Sequence, residues 1–158
     1  MNPISEQRRF LNEFLIPEFK QMLRPDSIVC DIGKTEDHPY ASMFREFTYV
    51  TLDRNPAKKP TILIDMEHNR PPISADGILF NGVFEQCDDP FSIWRNILSM
   101  LNPGGIVLAG LAGIGMTPYG SSDKWRVTKD GAQLFVRPLT IISTYDLPEY
   151  HYVIARKD

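Results

Sequence analysis

The stretch Asp26-Ser27-Ile28-Val29-Cys30-Asp31-Ile32-Gly33 decides how this chain is read. Its apolar run is short and bounded by turn residues, which suits a strand buried on both faces of a parallel sheet, and it ends on a carboxylate and a glycine. Upstream, Phe10, Phe14, Ile16, Phe19, Met22 and Leu23 recur mostly at three- and four-residue spacing. That spacing predicts an amphipathic helix over residues 5 to 23, kinked or split in two by Pro17. Arg24-Pro25-Asp26 breaks the pattern before the strand begins.

Downstream the alternation continues. A helix is expected from Tyr40 to Phe47, then strands Tyr49 to Leu52, Thr61 to Ile64 and Gly77 to Phe80. Phe91, Ile93, Trp94, Ile97, Leu98 and Leu101 form a helical stripe that Asn102-Pro103-Gly104-Gly105 stops, and Ile106 to Ala109 follows as a fifth strand. Residues 110 to 124 read as a long loop, with a short helix near Thr128 to Phe135. Two last strands, near Leu139 to Thr144 and Tyr150 to Ala155, are joined by a connection too short for a crossover helix, so they must pair antiparallel. The expected fold is therefore α/β and Rossmann-like. It has about seven strands in a mostly parallel sheet, one antiparallel C-terminal strand, and helices on both faces.

The 158 residues suffice for one domain that buries roughly 70% of its unfolded surface. We divide it into an N-terminal helical segment (1–24), a cofactor-binding half (25–110) and an acceptor-side loop, helix and hairpin (111–158). A net charge of -3 gives no strong nucleic-acid signal. No stretch approaches the ~20 apolar residues of a membrane span, and the polar N-terminus lacks the apolar core of a signal peptide. Cys30 and Cys87 have neither a C-x-x-C nor a Cys/His ligand spacing. Neither a metal site nor a disulfide framework is indicated, and the expected compartment is the cytoplasm.

Ligands of an open parallel sheet bind beyond the carboxyl ends of its strands. Those ends present Asp31-Ile32-Gly33, then Asp53, then Asp65-Met66, then Asn81-Gly82-Val83-Phe84-Glu85. Gly33 and Asp53 stand twenty residues apart, the spacing at which a nucleoside-binding fold places a carboxylate on the ribose hydroxyls. Each carboxylate also has a plainer reading: Asp31 as a cap or turn, Asp53 as a turn before Arg54-Asn55-Pro56, and Asp65 as a loop residue.

These segments, together with Asp76-Gly77-Ile78-Leu79-Phe80-Asn81-Gly82-Val83-Phe84-Glu85-Gln86 and Leu101-Asn102-Pro103-Gly104-Gly105, resemble the class I S-adenosylmethionine-dependent methyltransferases. The likeness is nearest to the small type-11-like branch, extends to Tyr119 through Gly131 with Trp125-Arg126, and covers roughly residues 25 to 156. It implies S-adenosyl-L-methionine as cofactor. Asp31 and Gly33 would lie by its methionine part, Asp53 on the ribose with Arg54 beside it, Asp65 and Met66 at the adenine, and Asn81 and Gly82 beside the sulfonium.

The first motif departs from the family's Asp-x-Gly-x-Gly-x-Gly and reads Asp31-Ile32-Gly33-Lys34-Thr35-Glu36-Asp37-His38. Two glycines are missing, which removes backbone freedom for close approach. Either the loop follows another path with Lys34 or His38 on the cofactor, or the domain is a degenerate binding or regulatory module. A base is needed only when the acceptor must lose a proton; the candidates are His38, Glu36 and His68. Tyr119, Trp125 and Arg126 are candidates for the acceptor site, with core packing as the alternative for the aromatics. The resemblance of the Trp125-Arg126 segment implies a small-molecule or sugar-containing acceptor. So little chain remains to close the site that a large acceptor, or a second subunit, from a homodimer or a partner, is expected to complete it.

Overall fold

The computed structural model describes residues 3–33, 40–118 and 120–158. Seven strands form one sheet: β1 (Ile28–Ile32), β2 (Thr48–Asp53), β3 (Ile62–Leu63), β4 (Ala75–Asn81), β5 (Leu101–Ala112), β6 (Thr140–Asp146) and β7 (Tyr150–Arg156). Their order is β3-β2-β1-β4-β5-β7-β6. β7 runs antiparallel to both β5 and β6, while β1 to β5 pair in parallel. The expected mostly parallel sheet with one reversed C-terminal strand is therefore what the chain forms. Strand order reverses between β1 and β4, so a crevice opens there at their carboxyl ends.

Side-chain alternation sends successive residues of each strand to opposite faces. On one face Val29, Leu79, Leu108, Tyr152 and Ile154 pack with Leu11, Leu15, Ile16 and Phe19 of the N-terminal helical segment. On the other, Cys30, Ile32, Ile78, Phe80 and Val107 meet Trp94 and Ile97 of α3 (Pro90–Met100) and Phe135 of α4 (Lys129–Phe135). Asp89 caps α3 by accepting from Phe91 N and Ser92 N, and Thr128 Oγ1 caps α4 by accepting from Gly131 N. Ile97 is fully buried, so Ile97→Val should cost about 1 kcal/mol, seen as a melting temperature lower by about 3 °C in a thermal scan.

Several elements differ from their expected extents. The N-terminal segment is helical from α1 (Pro3–Phe10) through a π-helical turn (Leu11–Leu15) into α2 (Ile16–Gln21). Pro17 stands in the first turn of α2, where a missing N–H costs least, and the wide turn upstream absorbs the mismatch. Instead of a helix from Tyr40 to Phe47 there is one 3-10 turn, Tyr40–Met43, followed by bonds from Phe44 N to Ala41 O and from Phe47 N to Phe44 O. The three-residue spacing of the aromatics is met by tight turns because Thr48 must already bond Ser27 O at the start of β2. β3 is two residues long because Thr61 joins β2 through hydroxyls: its Oγ1 accepts from Thr51 N, and Thr51 Oγ1 accepts from Thr61 N. β5 begins earlier than expected, with residues 102 to 105 as an irregularity between the pairings Ala75 to Leu101 and Gly77 to Ile106.

Candidate functional site

Two clefts open at the carboxyl edge of the sheet, and Gly33, Gly82 and Gln86 line both. The larger, of about 370 Å³, lies over the ends of β1, β2 and β4 and is lined by Asp53, Arg54, Lys58, Asp65, Met66 and Glu67 among others. The smaller, of about 150 Å³, lies on the face of the N-terminal helical segment, against Asp31, Tyr40, Asn81, Glu85, Asp123 and Tyr150. Gly33 leaves β1 at φ +79°, donates its N–H to Leu52 O at 2.8 Å, and would bring a Cβ to 2.4 Å from Val83 Cγ2. Only glycine fits there. The chain after β4 turns likewise, at Gly82 with φ +70°.

The strand-end carboxylates are all near this edge. Asp31 is 6% exposed and accepts from Tyr49 Oη at 2.5 Å. Burial and the charge of Asp31 push the Tyr49 phenol well above its ordinary range, so it remains a donor. Asp53 is 8% exposed; its Oδ1 accepts from Asn55 N at 2.8 Å and its Oδ2 lies 3.3 Å from Lys58 Nζ. The turn role foreseen for it is thus filled, while the carboxylate also lines the larger cleft. Asp65 Oδ1 accepts from Glu67 N at 3.0 Å, a local loop bond. Met66 is buried, and its carbonyl accepts from Asn96 Nδ2 at 2.7 Å. Arg54 is exposed and reaches Glu67 at 3.2 Å.

Glu67 was not foreseen. Its carboxylate accepts from Asp88 N at 3.0 Å and Asp89 N at 2.8 Å, tying the loop after β3 to the start of α3. Nothing in its sequence neighbourhood marks that role, since the partners stand more than twenty residues away.

The smaller cleft is built around Glu85. Although it closes the fourth-strand motif, it was not named as a site residue. Its side chain is buried at 4% exposure and accepts from Tyr150 Oη of β7. Desolvation raises its pKa, and Asp123 adds to this, while the Tyr150 bond and Arg126 oppose it. Asn81 points toward Gly110 of β5, where a Cβ would stand 2.1 Å from Asn81 Oδ1.

Of the candidate acceptor residues, Trp125 and Arg126 lie outside both clefts. Trp125 Nε1 donates to Cys87 O at 2.8 Å. Arg126 donates through Nε to Met116 O, through Nη1 to Trp125 O and through Nη2 to Asp123, so its guanidinium braces the loop between β5 and α4. His68 is largely exposed, 3.8 Å from Asp65, and lines neither cleft. Lys34, Glu36, His38 and Tyr119 lie outside the described residues. Burial pushes the Cys30 and Cys87 thiols up to about 12, which leaves both protonated and poor nucleophiles. No helix among the described residues is long and apolar enough to cross a membrane.

No protein-family model matches the sequence, and no curated protein matches it. Solved structures do match in fold. TehB from Haemophilus influenzae superposes with a TM-score of 0.75 at 14% identity, over 94% of this chain, which spans 66% of TehB. The N-methyltransferase NodS from Bradyrhizobium japonicum, in complex with S-adenosyl-l-homocysteine, gives 0.77 at 13% identity, over 99% of this chain and 88% of NodS. The [4+2]-cyclase SpnF gives 0.73 at 12%, over 90% of this chain and 79% of SpnF. The chain has the class I S-adenosylmethionine-dependent methyltransferase fold.

Proposed function

We propose that this chain binds S-adenosylmethionine across the carboxyl ends of β1, β2 and β4 and transfers its methyl group to a small-molecule or sugar-containing acceptor. The observation that carries this reading is the meeting of the two clefts at Gly33 and Gly82: a nucleoside-sized space and an acceptor-sized space share one backbone edge. The residues present fit the cofactor. A carboxylate offers about four lone-pair sites, and Asn55 N and Lys58 use one on each oxygen of Asp53. One site on each oxygen is left for a vicinal diol. Gly33, at positive φ, lines both clefts, so its backbone borders the space the methionine part would take.

In this reading Asp65 and Met66 border the adenine, Arg54 braces that wall through Glu67, Asp31 stands by the methionine part, and Asn81 and Gly82 face the reacting centre. Lys34 is kept as a candidate contact. When bound, the cofactor supplies a methyl group on a sulfonium, with its own leaving group. The chain's work is then positional: β4 and the turn at Gly82 hold the acceptor's nucleophile on one side of the sheet edge, and Leu11, Leu79 and Leu108 keep water from it.

A second reading, a non-catalytic binding or regulatory module, draws support from the ion pair with Lys58, which already compensates Asp53, and from the glycine-poor sequence after Gly33. Calorimetric titration with S-adenosylhomocysteine tests the first reading: saturable binding is expected, and none at millimolar ligand overturns it. Binding with no methyl transfer to any amine, hydroxyl or sugar acceptor would favour the module.

A further inference from the structure

Gly33, Gly82 and Gln86 line both clefts, and of the three only Gln86 carries a side chain. Local packing puts it there. In the 3-10 turn Phe84–Gln86 the first two residues are buried. The backbone of that turn is held on both sides: Glu85 O accepts from Lys124 N at 2.7 Å, and Val83 O accepts from Gln86 N and from Cys87 Sγ, each at 3.0 Å. With Phe84 and Glu85 buried, Gln86 is left exposed at the sheet edge. Among the described residues it is the one side chain that borders the nucleoside-sized space and the acceptor-sized space at once.

One bond locates the side chain. Gln86 Nε2 donates to Gly82 O at 3.4 Å, a contact longer than the usual range, which places the amide at the turn without tying it down. An amide offers an acceptor oxygen beside its two donors, and among the described residues nothing donates to Gln86 Oε1. This acceptor belongs to an exposed residue, so it costs nothing while water reaches it, and it is available to a ligand that spans the two clefts. The group is neutral and does not titrate. It presents a fixed dipole whose oxygen attracts positive charge, without the desolvation cost that a carboxylate would carry.

We propose that Gln86 is a specificity-determining residue for the cofactor: its Oε1 attracts the sulfonium charge and so sets the preference for S-adenosylmethionine over S-adenosylhomocysteine. This rests on the reading that puts the reacting centre at Gly82. The two ligands differ by one methyl group and one positive charge, and in that reading the difference falls where the clefts meet. Everything else in the two molecules lies against the larger cleft and is held equally in both. Once the methyl group has gone the charge is gone with it, and the amide oxygen has nothing left to hold. Gln86 therefore favours the loaded cofactor and releases the spent one, with no proton moved.

The test titrates the whole chain with S-adenosylmethionine and with S-adenosylhomocysteine in a calorimeter and reads the ratio of the two affinities. Gln86→Leu, which removes the dipole, should lower that ratio in favour of S-adenosylhomocysteine by about fivefold, a modest change because the residue is exposed. Gln86→Lys keeps a donor for Gly82 O and puts a positive charge in place of the oxygen, so the ratio should fall further, by about tenfold or more. Asp53→Ala is the control: the ribose is common to both ligands, so it should weaken both alike and leave the ratio within about twofold. Neither substitution of Gln86 touches the core. An unmoved ratio in Gln86→Leu, whether or not both affinities fall together, overturns the role of Gln86 and leaves the cofactor reading standing, as does a Gln86→Lys ratio no lower than that of Gln86→Leu. Binding of neither ligand to the wild type overturns both.

Discussion

Gly33→Ala should lower the stability of the chain by about 2–4 kcal/mol, read as a melting temperature roughly 5–15 °C below wild type. Two costs add at this position. A left-handed backbone penalises any residue with a Cβ by about 1–2 kcal/mol, and Gly33 has φ +79°. The new methyl would also stand 2.4 Å from Val83 Cγ2, well inside contact distance. Gly104→Ala separates the two costs, because Gly104 has φ +77° but nothing within 4 Å of its would-be Cβ. It should therefore lose only the backbone share. Adding Val83→Ala to Gly33→Ala should recover part of the loss, giving a favourable coupling in a double-mutant cycle. If Gly33→Ala melts no lower than Gly104→Ala, the packing of Gly33 against Val83 is not what closes this edge.

That packing illustrates which parts of the molecule a sequence exposes to reading. β1 was legible because a buried parallel strand needs an uninterrupted apolar run, and turn residues bound Ile28 to Ile32 on both sides. The reversed strand was legible because the short connection at Asp146-Leu147-Pro148 excludes a crossover helix. Parallel pairing then brings strand ends together whatever else the chain does, so Asp31, Asp53, Asp65 and Asn81 could be named as neighbours from their positions alone. Contacts that depend on which strand lies beside which were not legible. Glu85 meets Tyr150 only because β7 inserts between β5 and β6, and a hairpin pattern does not say where the hairpin docks. Arg126 was a candidate acceptor residue through the resemblance of its segment, and its donors go to Met116, Trp125 and Asp123 within its own loop. Local hydrogen bonding of that kind leaves no periodicity to detect. The aromatics at Phe44 and Phe47 failed in the opposite sense: spacing compatible with a helix is equally satisfied by successive 3-10 turns when the next strand starts at once.

Asp53→Ala should weaken S-adenosylhomocysteine by about a hundredfold or more in calorimetry. Two hydrogen bonds from ribose hydroxyls to a carboxylate are worth about 1.5–3 kcal/mol each, and every 1.4 kcal/mol is about tenfold in affinity. The same substitution also removes the acceptor for Asn55 N and the partner of Lys58, so a loosened turn is the competing explanation. Lys58→Met tests it. That variant deletes the ion pair while leaving the carboxylate and its Asn55 bond in place, and frees Oδ2 for the ligand. Affinity should then be unchanged or somewhat higher. If Lys58→Met weakens binding as much as Asp53→Ala does, the carboxylate acts by holding the turn and not by accepting from the ribose. If neither substitution matters while the ligand still binds, the nucleoside lies elsewhere on the sheet edge. A selective loss in Asp53→Ala alone ties ligand binding to the carboxylate that ends β2, whose spacing from Gly33 first suggested the role.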